Sequence, residues 1–425
     1  MTIVQELASF VHNAKFDELS EEAKKQAKIR ILDSLGTAIG AVEGEPVKHI
    51  RRYVSEFSHD GSCTLIGGGS TSPDYATLYN SALVRYLDFN DSYLAEGETC
   101  HPSDNLGSVL AAGEYNNLSG QELILALAVA YQVQARLSDE APVRAKGFDH
   151  TTQGAYAVAA GVSKALGLDT ERTANALAIS GTPLNALRVT RTGALSHWKG
   201  LAYPYTAFGA TTSTFLAKNG VTGPMEIFEG NKGFQDSIAG EFSIDWANED
   251  LERITRTIIK KYNAEIHSQA TIEGALELQH KHGIDPAEIK QIGVETFDVA
   301  YHIIGGGEEG DKTVVRRKEE ADHSLHYMTA VALLDGNVLP DQYRQERIIR
   351  DDVQNLLQKI TVRPSDVYSD RFPDEMPCHI TIRTADGASY EIEKQDYEGF
   401  HTRPMSWTTI IDKFESLVEP YVEEE

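Results

Sequence analysis

One apolar run constrains this chain more than any other feature. Ser119 and Glu122 are spaced as the serine and glutamate of a capping box, and LILALAVAY (Leu123–Tyr131) follows at once. The run is too short to cross a bilayer, which takes about 20 apolar residues. It predicts a buried helix over 123–135, and a helix with so little polar surface must be covered by others. Residues 20–41 supply one candidate, with Ser20 as N-cap, Ala27 and Ile31 four apart, and Leu32 and Leu35 three apart. Residues 74–88 supply another, with Pro73 in the first turn. Further helices are expected at 151–166, 171–180 and 203–218. Alanine, glycine, serine and threonine crowd these segments, and small residues let helices approach closely.

The pattern changes after residue 284. Residues 289–299 and 359–364 read as strands, with helices near 323–334 and 350–358 between them. CHITIRT (Cys378–Thr384) alternates, and Asp386-Gly387 followed by SYEIEK marks a hairpin. Helical periodicity returns at 405–419. The expected fold is therefore mainly α: an all-helical domain over 1–284, completed by 399–425, and a smaller α+β domain over 285–398. GGGS (67–70) and GGGEEG (305–310) lack a strand–loop–helix nucleotide signature and a GK[ST] ending, so they read as turns or mobile loops.

Charge and cysteine content exclude several functions. There are 39 basic and 64 acidic residues, a net charge of −25, which argues against nucleic acid or an anionic membrane as partner. Cys63, Cys100 and Cys378 include no CxxC pair, so neither a disulfide framework nor an all-cysteine zinc site is expected. The start, MTIVQELASF, has no basic n-region or long apolar run, and the default expectation is a cytoplasmic protein.

Four polar clusters carry potential chemistry. The first, RYLDFND to HPSDN, holds Asp91, His101, Ser103 and Asp104 where helical periodicity breaks off. On local pattern alone, caps and turns explain those residues somewhat better than function does. The second, KGFDHTTQGA, sets His150 at a helix start, beside Asp149 and Thr151 as capping candidates. The third, NALRVTRTGALSHWKG, gathers Arg188, Arg191 and Lys199 within twelve residues of an acidic chain. Arginine can clamp a carboxylate with two parallel hydrogen bonds, and Arg188 and Arg191 can equally serve structural ion pairs. The fourth joins KKYNAEIHSQA, with Lys260, Lys261, His267 and Gln269, to ADHSLHYM. There His323 and Tyr327, four apart, are expected to share a helix face and point at one pocket. No HExxH pair is present, and no metal is expected.

Together these segments resemble the MmgE/PrpD family. RYLDFND (85–91), HPSDN (101–105), KGFDHTTQGA (146–155), NALRVTRTGALSHWKG (185–200), GPMEIFEGNKGF (223–234), AEIHSQATIEGA (264–275) and ADHSLHYMTAVALL (321–334) carry the likeness, in order along most of the chain. The resemblance implies a large helical and a smaller α+β domain, a homodimer, and catalysis on small polycarboxylates without an iron–sulfur cluster or other cofactor. It places active-site residues at Asp91, His101, His150, Lys199 and His267. A lysine of the Lys260–Lys261 pair and the region of Tyr327 are to contribute. The pattern is nearest to members that dehydrate 2-methylcitrate to 2-methyl-cis-aconitate, a hydro-lyase reaction of propionate catabolism. Decarboxylation of cis-aconitate and epimerisation of iminodisuccinate are the alternatives within the family, and a non-catalytic dimeric binding or regulatory protein is the alternative outside it. Two departures stand out. Asn263 replaces a frequent proline, and Ala95 stands where some decarboxylating members carry threonine, which favours dehydration.

Overall fold

The computed structural model describes residues 1–57 and 61–422, and their packing forms two compact units. The first unit comprises Met1–Thr190, Gly200–Ile258 and Ser406–Glu425. Its helices are α1 (Ile3–Asn13), α2 (Glu21–Gly40), α3 (Glu45–Phe57), α4 (Pro73–Tyr86), α5 (Leu106–Asn116), α6 (Gly120–Glu140), α7 (Thr151–Ala165), α8 (Thr170–Gly181) and α9 (Trp198–Lys218). Local chemistry sets many of the starts. Ser20 Oγ accepts from the Ala23 N–H, Asp169 accepts from Arg172, and the Ser119–Glu122 capping box opens α6. From Ile124 to Ala135, α6 is buried on every side.

Close approach explains the small residues. A Cβ on Gly107 of α5 would lie 2.5 Å from Ser81 Oγ of α4, and one on Gly161 of α7 would lie 2.9 Å from Ala130 Cβ of α6. Helix α9 begins at Trp198 and not at 203, with Pro204 inside it. That proline sits in the second turn, where it forgoes one hydrogen bond without ending the helix. Two short hairpins interrupt the helices: β1 (Cys63–Thr64) with β2 (Ser70–Thr71), and β3 (Tyr93–Ala95) with β4 (Glu98–Cys100). The GGGS glycines form the first hairpin's turn, where Gly67, Gly68 and Gly69 all have positive φ.

The second unit comprises Arg191–Lys199 and Ile259–Met405. Strands β5 (Ile289–Thr296), β6 (Ile360–Pro364), β7 (Cys378–Thr384) and β8 (Ser389–Lys394) form a sheet in the order β6-β5-β7-β8. Only β5 and β6 are parallel. Asp386 and Gly387 make the β7–β8 turn: Asp386 Oδ1 accepts from the Ala388 N–H, and Gly387 takes φ 91°. Around the sheet lie α10 (Gln269–His282), α11 (Asp298–Ile304), α12 (Lys318–Ala321), α13 (Leu325–Asp335), α14 (Gln345–Ile348), α15 (Asp351–Leu357) and α16 (Asp366–Ser369). The compositional change at 285 is not where packing divides the chain. Helix α10 lies on β7 and β8, so closely that a Cβ on Gly274 would come within 2.8 Å of Ile380 Cδ1.

The chain then returns to the first unit as α17 (Trp407–Val418), which packs on α2. Phe414 covers Gly36, Leu417 covers Gly40, and Lys413 Nζ reaches Asp33 at 2.6 Å. Among the described residues, no helix is long and apolar enough to cross a membrane.

Candidate active site

In the first unit, the break after α4 brings two sequence clusters together. Asp88, at φ 56°, turns the chain out of α4, a conformation that Asp tolerates better than most residues, and Arg85 Nη1 holds its carboxylate at 2.6 Å. Asn90 Nδ2 then donates to Ser103 Oγ and Asp104 Oδ1, both at 2.8 Å, tying RYLDFND to HPSDN. His101 follows β4 and is buried. Its Nδ1 lies 2.8 Å from the Asp91 main-chain carbonyl and 3.0 Å from Ser92 Oγ. A carbonyl only accepts, so Nδ1 carries the proton and the neutral ring has its lone pair on Nε2. Asp91 thus meets His101 through its backbone, whereas Asp91 Oδ1 accepts from the Ser103 N–H at 3.0 Å. Burial first, and then the Asp91 charge, push the Tyr131 phenol well above its ordinary range.

His150 stands at the start of α7, its ring edge-on to His101 with centroids 5.4 Å apart. Its Nδ1 is 3.4 Å from Asp149 Oδ1, and its other side stacks against Tyr203 at 6.3 Å. Tyr203 in turn donates to Asn105 Oδ1 at 2.9 Å. Gly154 makes room for that tyrosine, since a Cβ there would lie 2.5 Å from the ring. Arg188 sits 3.6 Å from Asp149 Oδ2, so it supports the carboxylate beside His150.

In the second unit, Lys199 is buried and lies 3.1 Å from Asp322 Oδ1. Lys318 and His323 bind the same carboxylate, at 2.6 and 2.8 Å. Burial pushes the Asp322 carboxyl up, but these three neighbours outweigh it and hold it well below the usual carboxylate range. Glu265 forms the next pair: Oε1 lies 2.8 Å from His267 Nδ1, and Oε2 accepts the His267 N–H at 2.8 Å. Burial raises the Glu265 carboxyl, but His267, His323 and Lys260 bring it down to about 2. His267 Nε2 is buried and has no hydrogen-bond partner among the described residues.

The lysine pair separates cleanly. Lys260 is fully buried, and its charge acts on Glu265. Lys261 instead binds Glu398 at 2.8 Å and Glu273 at 3.4 Å, away from that group. Arg191 is buried in the second unit. Gln269 serves the backbone, accepting from the Lys261 and Tyr262 N–H groups and donating to the Tyr262 and Ala264 carbonyls. The shared helix face of His323 and Tyr327 is corrected: Ser324 caps α13, so His323 lies before the helix. Its ring turns to Asp322, whereas the Tyr327 hydroxyl donates to the Gln342 carbonyl. Tyr203 escaped sequence reasoning as a site residue because its partners, Asn105 and Gln134, are distant in the chain. Glu265, two residues from His267, was detectable as a local carboxylate–imidazole pair.

These observations define a class: a mainly helical protein with a smaller α+β unit, whose buried imidazoles and lysines are fixed by carboxylates and main-chain carbonyls. The family model for the MmgE/PrpD N-terminal domain matches residues 5–247, and that for the C-terminal domain matches residues 262–425. The chain belongs to the MmgE/PrpD family. It is 26% identical to cis-aconitate decarboxylase of Mus musculus, over 97% of this chain and 86% of that protein. It is 27% identical to a probable 2-methylcitrate dehydratase of Saccharomyces cerevisiae, over 84% of this chain and 73% of that protein. It is also 26% identical to 2-methylcitrate dehydratase of Escherichia coli K12, over 97% and 89%. These relatives are enzymes by name, which supports a lyase-like enzyme here.

Proposed function

We propose that this chain is a hydro-lyase that dehydrates 2-methylcitrate, or a close tricarboxylate such as citrate, acting as a cytoplasmic homodimer. The observation that carries this reading is His101, whose Nδ1 is committed to the Asp91 carbonyl and whose Nε2 therefore holds the basic lone pair. In the proposed reaction, Nε2 takes a proton from a carbon alpha to a substrate carboxylate. The electron pair moves into the new carbon–carbon double bond, and the C–O bond on the adjacent carbon breaks. The leaving hydroxide takes a proton from an acid and departs as water. His150 is the acid of choice because its ring adjoins that of His101. His267, with Glu265 at its Nδ1, is the other imidazole proposed for acid–base work.

Proton loss beside a carboxylate builds negative charge that must meet preorganised cations. Lys199 and Lys260 are the proposed carboxylate partners. Arg191 is proposed to assist them. Lys261 and Gln269, occupied elsewhere, are dropped from this role.

Proton NMR of metal-stripped protein incubated separately with 2-methylcitrate, citrate, cis-aconitate and iminodisuccinate tests the proposal. Formation of 2-methyl-cis-aconitate at the highest kcat/KM is the expected result. Itaconate from cis-aconitate, the reaction named for the mouse relative, would replace dehydration with decarboxylation. Epimerised iminodisuccinate would make the chain an epimerase. Binding without turnover across the panel would favour a non-catalytic role.

A further inference from the structure

The segment joining α11 to α12, GGGEEGDKTVVRRK (305–318), is rich in glycine and charge, yet it turns one lysine inward. Lys312 is only 7% exposed. Its main-chain carbonyl accepts from Ser324 Oγ at 2.6 Å, which fixes the residue to the N-cap of α13. Among the described residues, no carboxylate pairs with its Nζ and no acceptor hydrogen-bonds to it. Four other lysines of this unit have carboxylate partners. Lys199 and Lys318 bind Asp322, Lys261 binds Glu398, and Lys394 binds Glu273 and Glu277.

The groups whose charge reaches Lys312 are Glu309, Glu265, Lys199 and Asp322. It therefore shares the electrostatic surroundings of the Lys199–Asp322 and Glu265–His267 pairs. Burial is the largest influence on its ammonium, pulling it below the ordinary lysine range, with Lys199 acting in the same direction. Glu309, Glu265 and Asp322 oppose that pull without compensating it. A buried ammonium without a close counter-ion is costly, and the neighbouring carboxylates do not fully offset the cost here. An anion arriving from solution would.

We propose that Lys312 binds one carboxylate of the substrate and, with Lys199 and Lys260, makes the second unit a reader of tricarboxylates over dicarboxylates. The proposal rests on the polycarboxylate reading above and adds a residue that neither sequence motif nor local pattern singles out. It also gives the glycine-rich segment a task, since Gly306 and Gly310 take φ of 103° and 97° on the way to Lys312.

The test uses two unreactive probes, propane-1,2,3-tricarboxylate and glutarate, which differ by the central carboxylate. Calorimetric titration of wild type, Lys312→Met and Lys312→Arg is paired with thermal melting of each ligand-free protein. The methionine variant is expected to lose about ten- to hundred-fold in affinity for the tricarboxylate, as for a charged hydrogen bond removed. Its affinity for glutarate should change less than about two-fold, and arginine should restore part of the preference. Ligand-free Lys312→Met should melt no lower than wild type, because an uncompensated buried charge has gone. A folded methionine variant that binds the tricarboxylate like wild type overturns the assignment. So does one that melts several degrees lower, which would mark Lys312 as structural, and so does a wild type that binds neither probe. Turnover of 2-methylcitrate by the wild type is read separately. Binding that depends on Lys312 without such turnover removes the dehydratase reading and leaves the carboxylate-binding role standing.

Discussion

His101 donates its Nδ1 proton to a main-chain carbonyl, an acceptor that does not ionise. His101→Ala should therefore lower kcat by about 10²–10⁴-fold in a folded protein, the usual range for lost proton transfer. Asp91→Asn should cost less, because the carbonyl remains and an amide oxygen can still accept from Ser103. Steady-state kinetics on the two variants checks the order. A similar comparison separates the lysines: Lys260→Met should raise KM, and Lys261→Ala should leave it nearly unchanged. Equal effects would refute the division drawn from their partners. Glu265 supplies a pH signature. Its folded pKa of about 2 lies below its unfolded value of 4.5, so its contribution is full above about pH 4.5 and is lost as the pH falls towards 2. The shift corresponds to about 3 kcal/mol as an upper figure. The urea midpoint of Glu265→Gln should trail wild type at pH 7, trail it by less at pH 3, and converge on it only towards pH 2.

At the scale of elements, stops and starts written into neighbouring residues were legible. Ser20, Ser119–Glu122 and Asp386-Gly387 act over two to four residues, and the helices and hairpin that they set are where the sequence places them. Helices α1, α3, α5 and α10 went unread. For α5 and α10 the reason is packing: many of their positions are small residues, such as Gly107 and Gly274, chosen for what lies against them and not for an apolar stripe. The candidate site divides in the same way. His101, His150, Lys199 and His267 stand in motifs, but the pairing of Lys199 with Asp322 spans 123 residues and leaves no local trace. Gly154 shows how an element carries a site: Gly154→Ala would push a methyl group into Tyr203, which packs on His150. A loss of about 1–3 kcal/mol is expected, read as a lower urea midpoint with unchanged slope.

The chain leaves its first unit after Ile258 and re-enters it at Ser406. Lys413, on the last helix, donates to the Phe89 carbonyl at 2.8 Å and lies 3.7 Å above the Phe89 ring while pairing with Asp33. Burial pushes the Asp33 carboxyl up and the Lys413 ammonium down, and each partner opposes the other's shift. Lys413→Met leaves Asp33 buried without its cation and should cost about 3–5 kcal/mol, much of it recovered by adding Asp33→Asn. A double-mutant cycle in urea measures that coupling, and additive losses would show that the pair carries no interaction.

The same return of the chain bears on how the protein is born. A ribosome delivers residues in order, so α17 emerges only after all of Ile259–Met405 has been made. At about 5–20 residues per second, those 147 residues take roughly 7 to 30 s. Throughout that interval the nascent first unit carries an open apolar strip on α2, with Gly36 and Gly40 bare and Asp33 lacking its lysine. Completion of this unit therefore waits on the synthesis of the whole second unit.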